Sequence, residues 1–289
     1  MKRLLKIVLP LMLFLSGCTV TPPTGKLQVV VSVYVLEEFT KRIGGDLIQV
    51  TNIVPPGIEP HDFELSAQDR IKLQNADVLL TIGVGFENWL NEVAPKLTKT
   101  LVVKTGEGVA SDPNDPHVWL DPNLAKLMAV KIRDALIQVD PQNKTTYHAN
   151  TQTLIAELSA LDALYRTTLA NRVRDIFISS HNAFSYLAKA YGLHQEAIAG
   201  ANPETDVSAM RVREIITLIN TQHIPVVFSE AFLDPKIAEA IAKETSASVM
   251  TLVPVENLSA VERKNGETYF SLMKKNLYAL YTALTEGSL

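Results

Sequence analysis

Three of the six histidines in this chain lie at the edges of apolar segments, in loop-like contexts. They are His61, His117 and His181, in the strings PPGIEPHDFELS, DPHVWLDP and ISSHNAFSYL. A metal ion needs this placement, because imidazoles that are far apart in sequence must be held by rigid elements and converge in the fold. A lone histidine is far more often a surface or hydrogen-bonded residue, so the hypothesis of a metal site depends on the joint pattern of the three.

A fourth ligand is expected, because a divalent ion such as zinc favours a tetrahedral shell. The loop PVENLSA, after the last predicted strand, offers Glu256 at a location that matches the histidines. Glu59, two residues before His61, and a water molecule are the competitors for this fourth position. The other histidines lack such placement, and we interpret them as structural or solvated: His148, His194 and His223.

The first half of the chain alternates β-rich runs with helical patterns. The runs LQVVVSVYVL, DLIQVTNIV, ADVLLTIGV and TLVVKTGEG have the character of buried parallel strands. Between them, EEFTKRIGG and SAQDRIKLQNA are predicted helices, and Ser66 and Asp69 fit a capping box. This alternation predicts an α/β lobe, in which His61 and His117 follow strand-like segments. Ligands gather beyond the carboxyl ends of strands in such sheets.

After Asp121-Pro122 the pattern becomes almost continuous helix, over 123–139 and then, restarted by Pro141, over 142–169. The second helix has an apolar stripe of about 28 residues, or ~42 Å, and can bridge two lobes. The alternation then resumes, and His181 directly follows the strand DIFISS. We therefore predict an N-terminal α/β lobe at 27–140, a linking helix at 141–169 and a C-terminal α/β lobe at 170–289.

The N-terminus predicts a secretion signal rather than part of the fold. Basic residues lead into the apolar run 7–15, which is too short for the ~20 residues that span a bilayer. The run ends in Leu15-Ser16-Gly17-Cys18, which resembles the cleavage site of a bacterial lipoprotein precursor and contains the chain's only cysteine. We expect a signal peptide at 1–18, lipidation of Cys18, for example by palmitate, and a tether at 19–26. The protein would then work outside the cytoplasm, anchored to the membrane.

Composition excludes one class of partner. The chain has 289 residues, with 47% hydrophobic and 20% charged residues, and its formal net charge is −4. This balance is that of an ordinary globular protein with a sizeable core, and it argues against nucleic acid as the main partner.

Several segments together resemble the solute-binding lipoproteins of metal-transporting ABC importers, a group that includes zinc and manganese receptors. They are VPPGIEPHDFELSAQD, DPHVWLDPN, SSHNAFSYLAKAYGL, VFSEAFLDPKIAEAIAKETSASV and GETYFSLMKKNLYAL, and they span essentially all of the predicted mature chain. The resemblance implies two α/β lobes joined by one rigid long helix, with a metal ion held in the cleft and handed to a membrane permease. It implies a protein without catalytic activity, and we expect a monomer.

The resemblance also assigns the ligands. His61, His117 and His181 match three ligand positions of the family, and the fourth, an acidic residue in the last loop, falls on Glu256 or Asn257. Only Glu256 is a good ligand for a divalent ion. Apolar neighbours such as Trp119, Phe63 and Phe184 are expected to exclude water.

Ligand chemistry favours zinc. Three imidazoles and one carboxylate suit four-coordinate Zn²⁺, whereas manganese favours shells richer in oxygen. The manganese receptors that this family includes tend to carry an acidic residue at the third position, where this chain has His181. The stretch from Asp62 to Pro116 contains no histidine, unlike the histidine-rich loop of many zinc receptors, so manganese or iron stays an alternative.

Two functions from other classes of protein are alternatives. A secreted zinc hydrolase would use three protein ligands and a water, with Glu59 or Asp62 as general base, but the chain has no H-E-x-x-H helix. A surface adhesin is compatible with lipid anchoring, and it predicts that His117→Ala leaves function intact.

Overall fold

A computed structural model describes residues 25–112, 115–202, 207–230 and 232–285 of the chain. The predicted signal peptide, the lipidation site Cys18 and most of the predicted tether lie outside the described residues. Within the described residues no helix combines the length and apolar character needed to cross a membrane.

The first sheet contains four parallel strands in the order β2-β1-β3-β4. Their bounds are β1 Leu27–Val31, β2 Ile48–Asn52, β3 Val78–Thr81 and β4 Leu101–Lys104. In the register, Val29 of the central strand β1 lies opposite Val50 on one side and Val78 on the other. All four residues of β3 are buried, as expected for a parallel strand that is covered on both faces.

Three helices accompany this sheet in the first half of the chain. They are α1 Tyr34–Gly44, α2 Ala67–Gln74 and α3 Pro122–Val139. The capping box predicted for α2 is present, since Ser66 accepts a hydrogen bond from the backbone N–H of Asp69, whose side chain accepts one in return. The sequence prediction extended the first strand too far, because residues 34–36 belong to α1. These apolar residues would be buried in a strand or in a helix. Hydrophobic periodicity therefore cannot distinguish a short buried helical turn from a strand.

The long helix α4, Lys144–Thr168, begins after a 3₁₀ turn at Pro141–Asn143 and spans about 37 Å. Its buried stripe is the one that the sequence predicts: Tyr147, Thr151, Leu154, Leu158, Leu161 and Tyr165. It packs against α1 and α3 of the first lobe, and near its N-terminus Asn150 Nδ2 donates to the carbonyl of Ile43. Further along, the Tyr165 hydroxyl donates to the carbonyl of Met273, 2.6 Å away, in the last helix of the chain. The helix therefore contacts both halves of the molecule.

The second sheet repeats the arrangement of the first, with parallel strands in the order β6-β5-β7-β8. The strands are β5 Ile176–Ser179, β6 His194–Ala197, β7 Val226–Ser229 and β8 Ser248–Thr251. The helices that accompany them are α5 Ser185–Ala190, α6 Ala209–Gln222, α7 Lys236–Lys243, α8 Ala260–Lys264 and α9 Tyr269–Thr285. The predicted fold class, two parallel-sheet α/β lobes and a long connecting helix, is confirmed. The lobe boundaries at 27–140, 141–169 and 170–289 stay a prediction.

One apolar core contains buried residues of both lobes. Trp119, before α3, is fully buried, and the Tyr269 hydroxyl at the start of α9 donates to its backbone carbonyl at 2.6 Å. The ring of Tyr269 packs edge-on against Phe39 of α1, with 5.0 Å between centroids. The C-terminal helix is thus joined to the first lobe by a hydrogen bond and by ring packing.

Candidate metal centre

The four predicted ligands come from four separate loops. His61 lies between β2 and α2, and His117 directly precedes the 3₁₀ turn Val118–Leu120 that leads into α3. His181 is the second residue after β5, and Glu256 lies in the loop after β8. His61, His181 and Glu256 thus follow the carboxyl ends of strands from two different sheets, as expected for ligand sites in parallel α/β folds.

The structure brings these four side chains together. Each offers one ligand atom, and the four atoms lie within 4.8 Å of one another. Nε2 of His117 lies 3.3 Å from Nε2 of His61 and 3.5 Å from Nε2 of His181. Oε1 of Glu256 lies 2.7 Å from Nε2 of His117, 3.5 Å from Nε2 of His61 and 3.9 Å from Nε2 of His181.

This geometry fits a small tetrahedral cation. With metal–ligand bonds of about 2.0–2.1 Å, neighbouring ligand atoms of a tetrahedral zinc shell are about 3.3 Å apart. The separations in the cluster bracket that value. In addition, Oε1 of Glu256 is buried among three imidazoles, and no other group of the described residues is placed to donate a hydrogen bond to it. A buried carboxylate oxygen needs a donor or a cation as its partner, and a metal ion bound to the imidazoles would supply one.

The ring of His117 is oriented by a carboxylate on its outer side. Its Nδ1 lies 2.6 Å from Oδ1 of Asp115, and its backbone N–H donates to the same oxygen at 2.8 Å. The other oxygen of Asp115 accepts hydrogen bonds from the backbone N–H and the hydroxyl of Ser185, at the start of α5. An Nδ1–H that donates to Asp115 leaves the Nε2 lone pair of His117 free to bind a metal ion.

His181 has an equivalent partner. Its Nδ1 lies 2.7 Å from Oε1 of Glu230, the residue that follows β7, and both side chains are buried. A carboxylate on the outer nitrogen of a metal-binding histidine fixes the ring and raises its basicity. The sequence prediction named neither Asp115 nor Glu230. The D-P-H string contained the first of them, whereas Glu230 lies 49 residues from His181 and only the fold reveals it.

The electrostatics of the cluster favour a positive charge at its centre. Burial lowers the pKa of His117, but the adjacent Asp115 and Glu256 carboxylates outweigh burial and raise this pKa to about 10. Burial likewise raises the pKa of Glu256, but the charges of His61 and His117 hold it well below its usual range. Without a metal ion, the cluster therefore holds a proton on His117 beside an ionised Glu256. A divalent cation would take the place of that proton.

Glu59, the competitor for the fourth ligand position, binds the backbone of His61 rather than joining the ligand atoms. Its Oε1 accepts a hydrogen bond from the backbone N–H of His61 at 3.1 Å, and the group of converging ligand atoms does not include it. Burial and the negative charge of Glu256 raise the pKa of Glu59 to about 8. Asn257, the other candidate in the last loop, directs its amide away from the cluster to the carbonyls of Pro55 and Ile58.

Aromatic rings enclose the imidazoles on one side. Phe86 lies 4.4 Å from the ring of His61 and 5.8 Å from that of His117, measured between centroids. Trp119, which the sequence predicted as a neighbour, lies 5.2 Å from His117. Phe86 was missed by sequence reasoning. The other two predicted neighbours pack elsewhere, Phe63 against Trp89 and Phe184 against Phe177.

The remaining histidines lie outside this cluster. His148 is half-buried on α4, His223 is exposed at the end of α6, and His194 is exposed and lies 3.0 Å from Oε1 of Glu196.

Two parallel-sheet lobes, a long connecting helix and a buried cluster of ligand atoms between the lobes define a two-lobed solute-binding protein. The chain belongs to the family described as "Zinc-uptake complex component A periplasmic", whose family model matches residues 29–283. The predicted resemblance to metal receptors of ABC importers is therefore confirmed.

Named relatives agree with this family. The chain is 34% identical over 280 residues to the high-affinity zinc uptake system protein ZnuA of Bacillus subtilis, covering 90% of this chain and 88% of the relative. It is 33% identical over 290 residues to the zinc-binding lipoprotein AdcA of Streptococcus pneumoniae. That match covers 93% of this chain but 58% of the relative, so the chain spans little more than half of the streptococcal protein.

The fold has a solved counterpart. The crystal structure of the Zn(II)-bound ZnuA-like domain of Streptococcus pneumoniae AdcA superposes with a TM-score of 0.82 at 34% identity. The match covers 91% of this chain and 100% of that structure. The family is one of transport receptors rather than enzymes, so the hydrolase reading is not supported and the prediction of a non-enzymatic protein holds.

Proposed function

We propose that this protein captures Zn²⁺ outside the cytoplasm with His61, His117, His181 and Glu256, and delivers it to the membrane permease of an ABC importer. The observation that carries the proposal is the buried Oε1 of Glu256, which lies among three Nε2 atoms and, among the described residues, has no other group placed to donate to it. The ion is cargo, and binding and release are the whole of the chemistry.

The preference for zinc follows from the donor set. Three imidazoles and a single carboxylate supply nitrogen-rich, four-coordinate ligation, which suits zinc better than manganese. The Asp115 and Glu230 carboxylates behind two of the imidazoles increase their basicity and add negative charge around the ion. The zinc-binding names of the relatives from Bacillus subtilis and Streptococcus pneumoniae support the same preference.

Capture and release require the ion to be shielded and then exposed. Phe86 and Trp119 cover the imidazoles on one side, and the two lobes meet at the site, so separation of the lobes would open the ligand shell. Docking on the permease would supply that separation. The signal peptide at 1–18, lipidation of Cys18 and the tether at 19–26 belong to the same proposal, and the name of the streptococcal lipoprotein supports them.

The test is metal analysis followed by competition. Protein that is purified without added metal should contain zinc, and after metal removal zinc should raise its thermal midpoint more than manganese does at equal free concentration. Stabilisation follows the logarithm of the free metal concentration over the dissociation constant, so the preferred ion gives the larger shift. A larger shift with manganese would reassign the cargo to the alternative that the sequence left open.

A second experiment separates uptake from adhesion. In the organism of origin, we expect His117→Ala to prevent growth when a chelator limits zinc, whereas the wild-type gene restores it. Growth of the His117→Ala strain at the wild-type rate would favour the adhesin reading instead.

A further inference from the structure

The loop that carries Glu256 follows β8 of the second sheet but is bonded to the first lobe. The indole Nε1–H of Trp119 donates to the carbonyl of Pro254 at 2.7 Å. The backbone N–H of Tyr34, at the start of α1, donates to the carbonyl of Glu256 itself at 2.9 Å. The ligand and the residue two positions before it are therefore held by the lobe opposite the one from which the chain arrives.

Asn257 adds the bonds that connect this loop to the loop of His61. Its side chain is buried, and its Nδ2 donates to the carbonyl of Pro55 at 2.7 Å and to that of Ile58 at 2.9 Å. Its Oδ1 accepts from the backbone N–H of Leu258 at 2.8 Å, and the carbonyl of Leu258 accepts from Gly57 at 2.9 Å. Both donor hydrogens of one buried amide thus bind the segment that leads to His61.

Val255, directly before Glu256, shows that this arrangement is imposed by its surroundings. It has a φ of +58°, a left-handed conformation that is costly for a β-branched residue, and its side chain is fully buried. Such a conformation persists only where neighbouring contacts enforce it. Here the bonds at Pro254, Glu256 and Asn257 lie on both sides of the strained residue.

His181 is held differently. Outside the cluster, its ring bonds to Glu230, and its carbonyl accepts from the Ser179 hydroxyl and from Gln195 Nε2. All three partners belong to the second lobe. The first lobe reaches this region through Asp115, which binds Ser185, and through backbone N–H groups at 111 and 112, which donate to the Tyr186 hydroxyl.

We propose that Asn257 is a positioning residue that joins the loops of Glu256 and His61 into one unit with His117. On this view, His61, His117 and Glu256 form a three-ligand half-site that moves with the first lobe. His181 is the ligand that arrives with, and leaves with, the second lobe. This inference rests on the proposed function, because it assumes that the cluster binds the metal ion.

The experiment compares zinc dissociation from variants of two buried asparagines. Asn257→Ala and Asn257→Leu remove the bonds to the His61 loop, and the leucine fills the same space. Asn276→Ala is the matched control: Asn276 is equally buried and bonds both backbone groups of Val253, at 2.8 and 2.6 Å, but it holds that segment to α9. Zinc-loaded proteins are mixed with an excess of chromophoric chelator, and the release rate is recorded beside the thermal midpoint of the metal-free protein.

We expect zinc release from the Asn257 variants to be about 10–100-fold faster than from wild type, the range typical of residues that orient metal ligands. Release from Asn276→Ala should stay close to the wild-type rate, even if its metal-free thermal midpoint falls as far as that of the Asn257 variants. The visible spectrum of the Co²⁺-loaded Asn257 variants should also shift, because the carboxylate no longer holds its place in the tetrahedral shell.

Equal release rates for the Asn257 and Asn276 variants at equal loss of stability, with an unchanged Co²⁺ spectrum, would overturn the role of Asn257. Wild-type protein that takes up no zinc would overturn the proposed function and this inference together. The two failures are therefore distinguishable.

Discussion

At the scale of residues, two of the histidine ligands are each paired with a carboxylate. His117 lies between Asp115 on its outer nitrogen and Glu256 on its inner one, and His181 lies against Glu230. The sequence reveals the three histidines because their motifs lie at loop positions. It does not reveal Glu230 or Phe86, because each meets its histidine only through tertiary packing between separate strands.

Removal of an orienting carboxylate should weaken zinc binding without destroying the site. We expect Glu230→Gln and Asp115→Asn each to reduce zinc affinity by about 10–100-fold, because the ring they hold loses orientation and basicity. Competition with a chelator of known affinity measures the change. His194→Gln, at an exposed histidine that also contacts a carboxylate, serves as control and should bind zinc like wild type. Wild-type affinity in both carboxylate variants would contradict this role.

Zinc binding should depend on pH through His117. The Asp115 and Glu256 carboxylates outweigh burial and raise the pKa of His117 to about 10, so the metal-free site carries a proton at neutral pH that zinc must displace. Affinity should therefore fall by about tenfold for each unit of decreasing pH between 8 and 6, the effect of one competing proton. Glu256→Gln removes one of the carboxylates and should lower the pKa of His117, so that this slope begins at a lower pH. Titrations at several pH values measure it, and equal affinities at pH 8 and 6 would count against a site built on His117.

At the scale of elements, the sequence predicts most strands and helices, but their ends less well. The buried stripe of α4 and the capping box of α2 are as predicted, because both depend on local periodicity and local hydrogen bonds. The start of α1 was assigned to a strand, and the short helix α8 was missed. The register of the Glu256 loop also could not be predicted, because its bonds to Tyr34 and Pro55 connect residues about 200 positions apart.

An ion pair between α1 and α8 should contribute to stability. Both guanidinium ends of Arg263 bind the carboxylate of Glu37, at 3.0 and 2.9 Å. Burial raises the pKa of Glu37, but the bonds from Arg263 and Lys41 outweigh burial and lower it to about 2. We expect Glu37→Gln to lower the free energy of unfolding by about 1.5–3 kcal/mol at pH 7, as for hydrogen bonds to a charged group.

The ion pair between Glu37 and Arg263 also makes the free energy of unfolding depend on pH. Because the folded-state pKa of Glu37 is lowered, its contribution is complete above its ordinary value of 4.5 and is lost as the pH falls through about 2. Denaturant unfolding at pH 7 and pH 2.5 should therefore show a smaller difference between wild type and Glu37→Gln at the lower pH. Lys41→Met removes the bond that a half-exposed lysine donates to the same carboxylate within α1, while Arg263 remains, and should cost no more than about 0.5 kcal/mol. A Glu37→Gln effect that is as small as that of the control would contradict the role of the pair.

At the scale of the whole molecule, the proposed ion connects two lobes that share one core. Structural zinc sites bind with about 10–16 kcal/mol, so each of four ligands contributes about 3 kcal/mol, or roughly 100-fold in affinity. His181→Ala should therefore still bind zinc through the half-site, but about 100-fold more weakly. At saturating metal, its stabilisation by zinc should be about 2.7 kcal/mol smaller than in wild type. Thermal unfolding with and without zinc measures this, and complete loss of binding would contradict an independent half-site.

The central claim is that three imidazoles and one carboxylate enclose the ion, and X-ray absorption at the zinc edge tests it most directly. For protein loaded with one equivalent of zinc, we expect four nitrogen or oxygen neighbours at about 2.0–2.1 Å, with the scattering of three imidazoles. His117→Ala should lose one of the three. A spectrum with one imidazole or none, or one that His117→Ala leaves unchanged, would contradict the account.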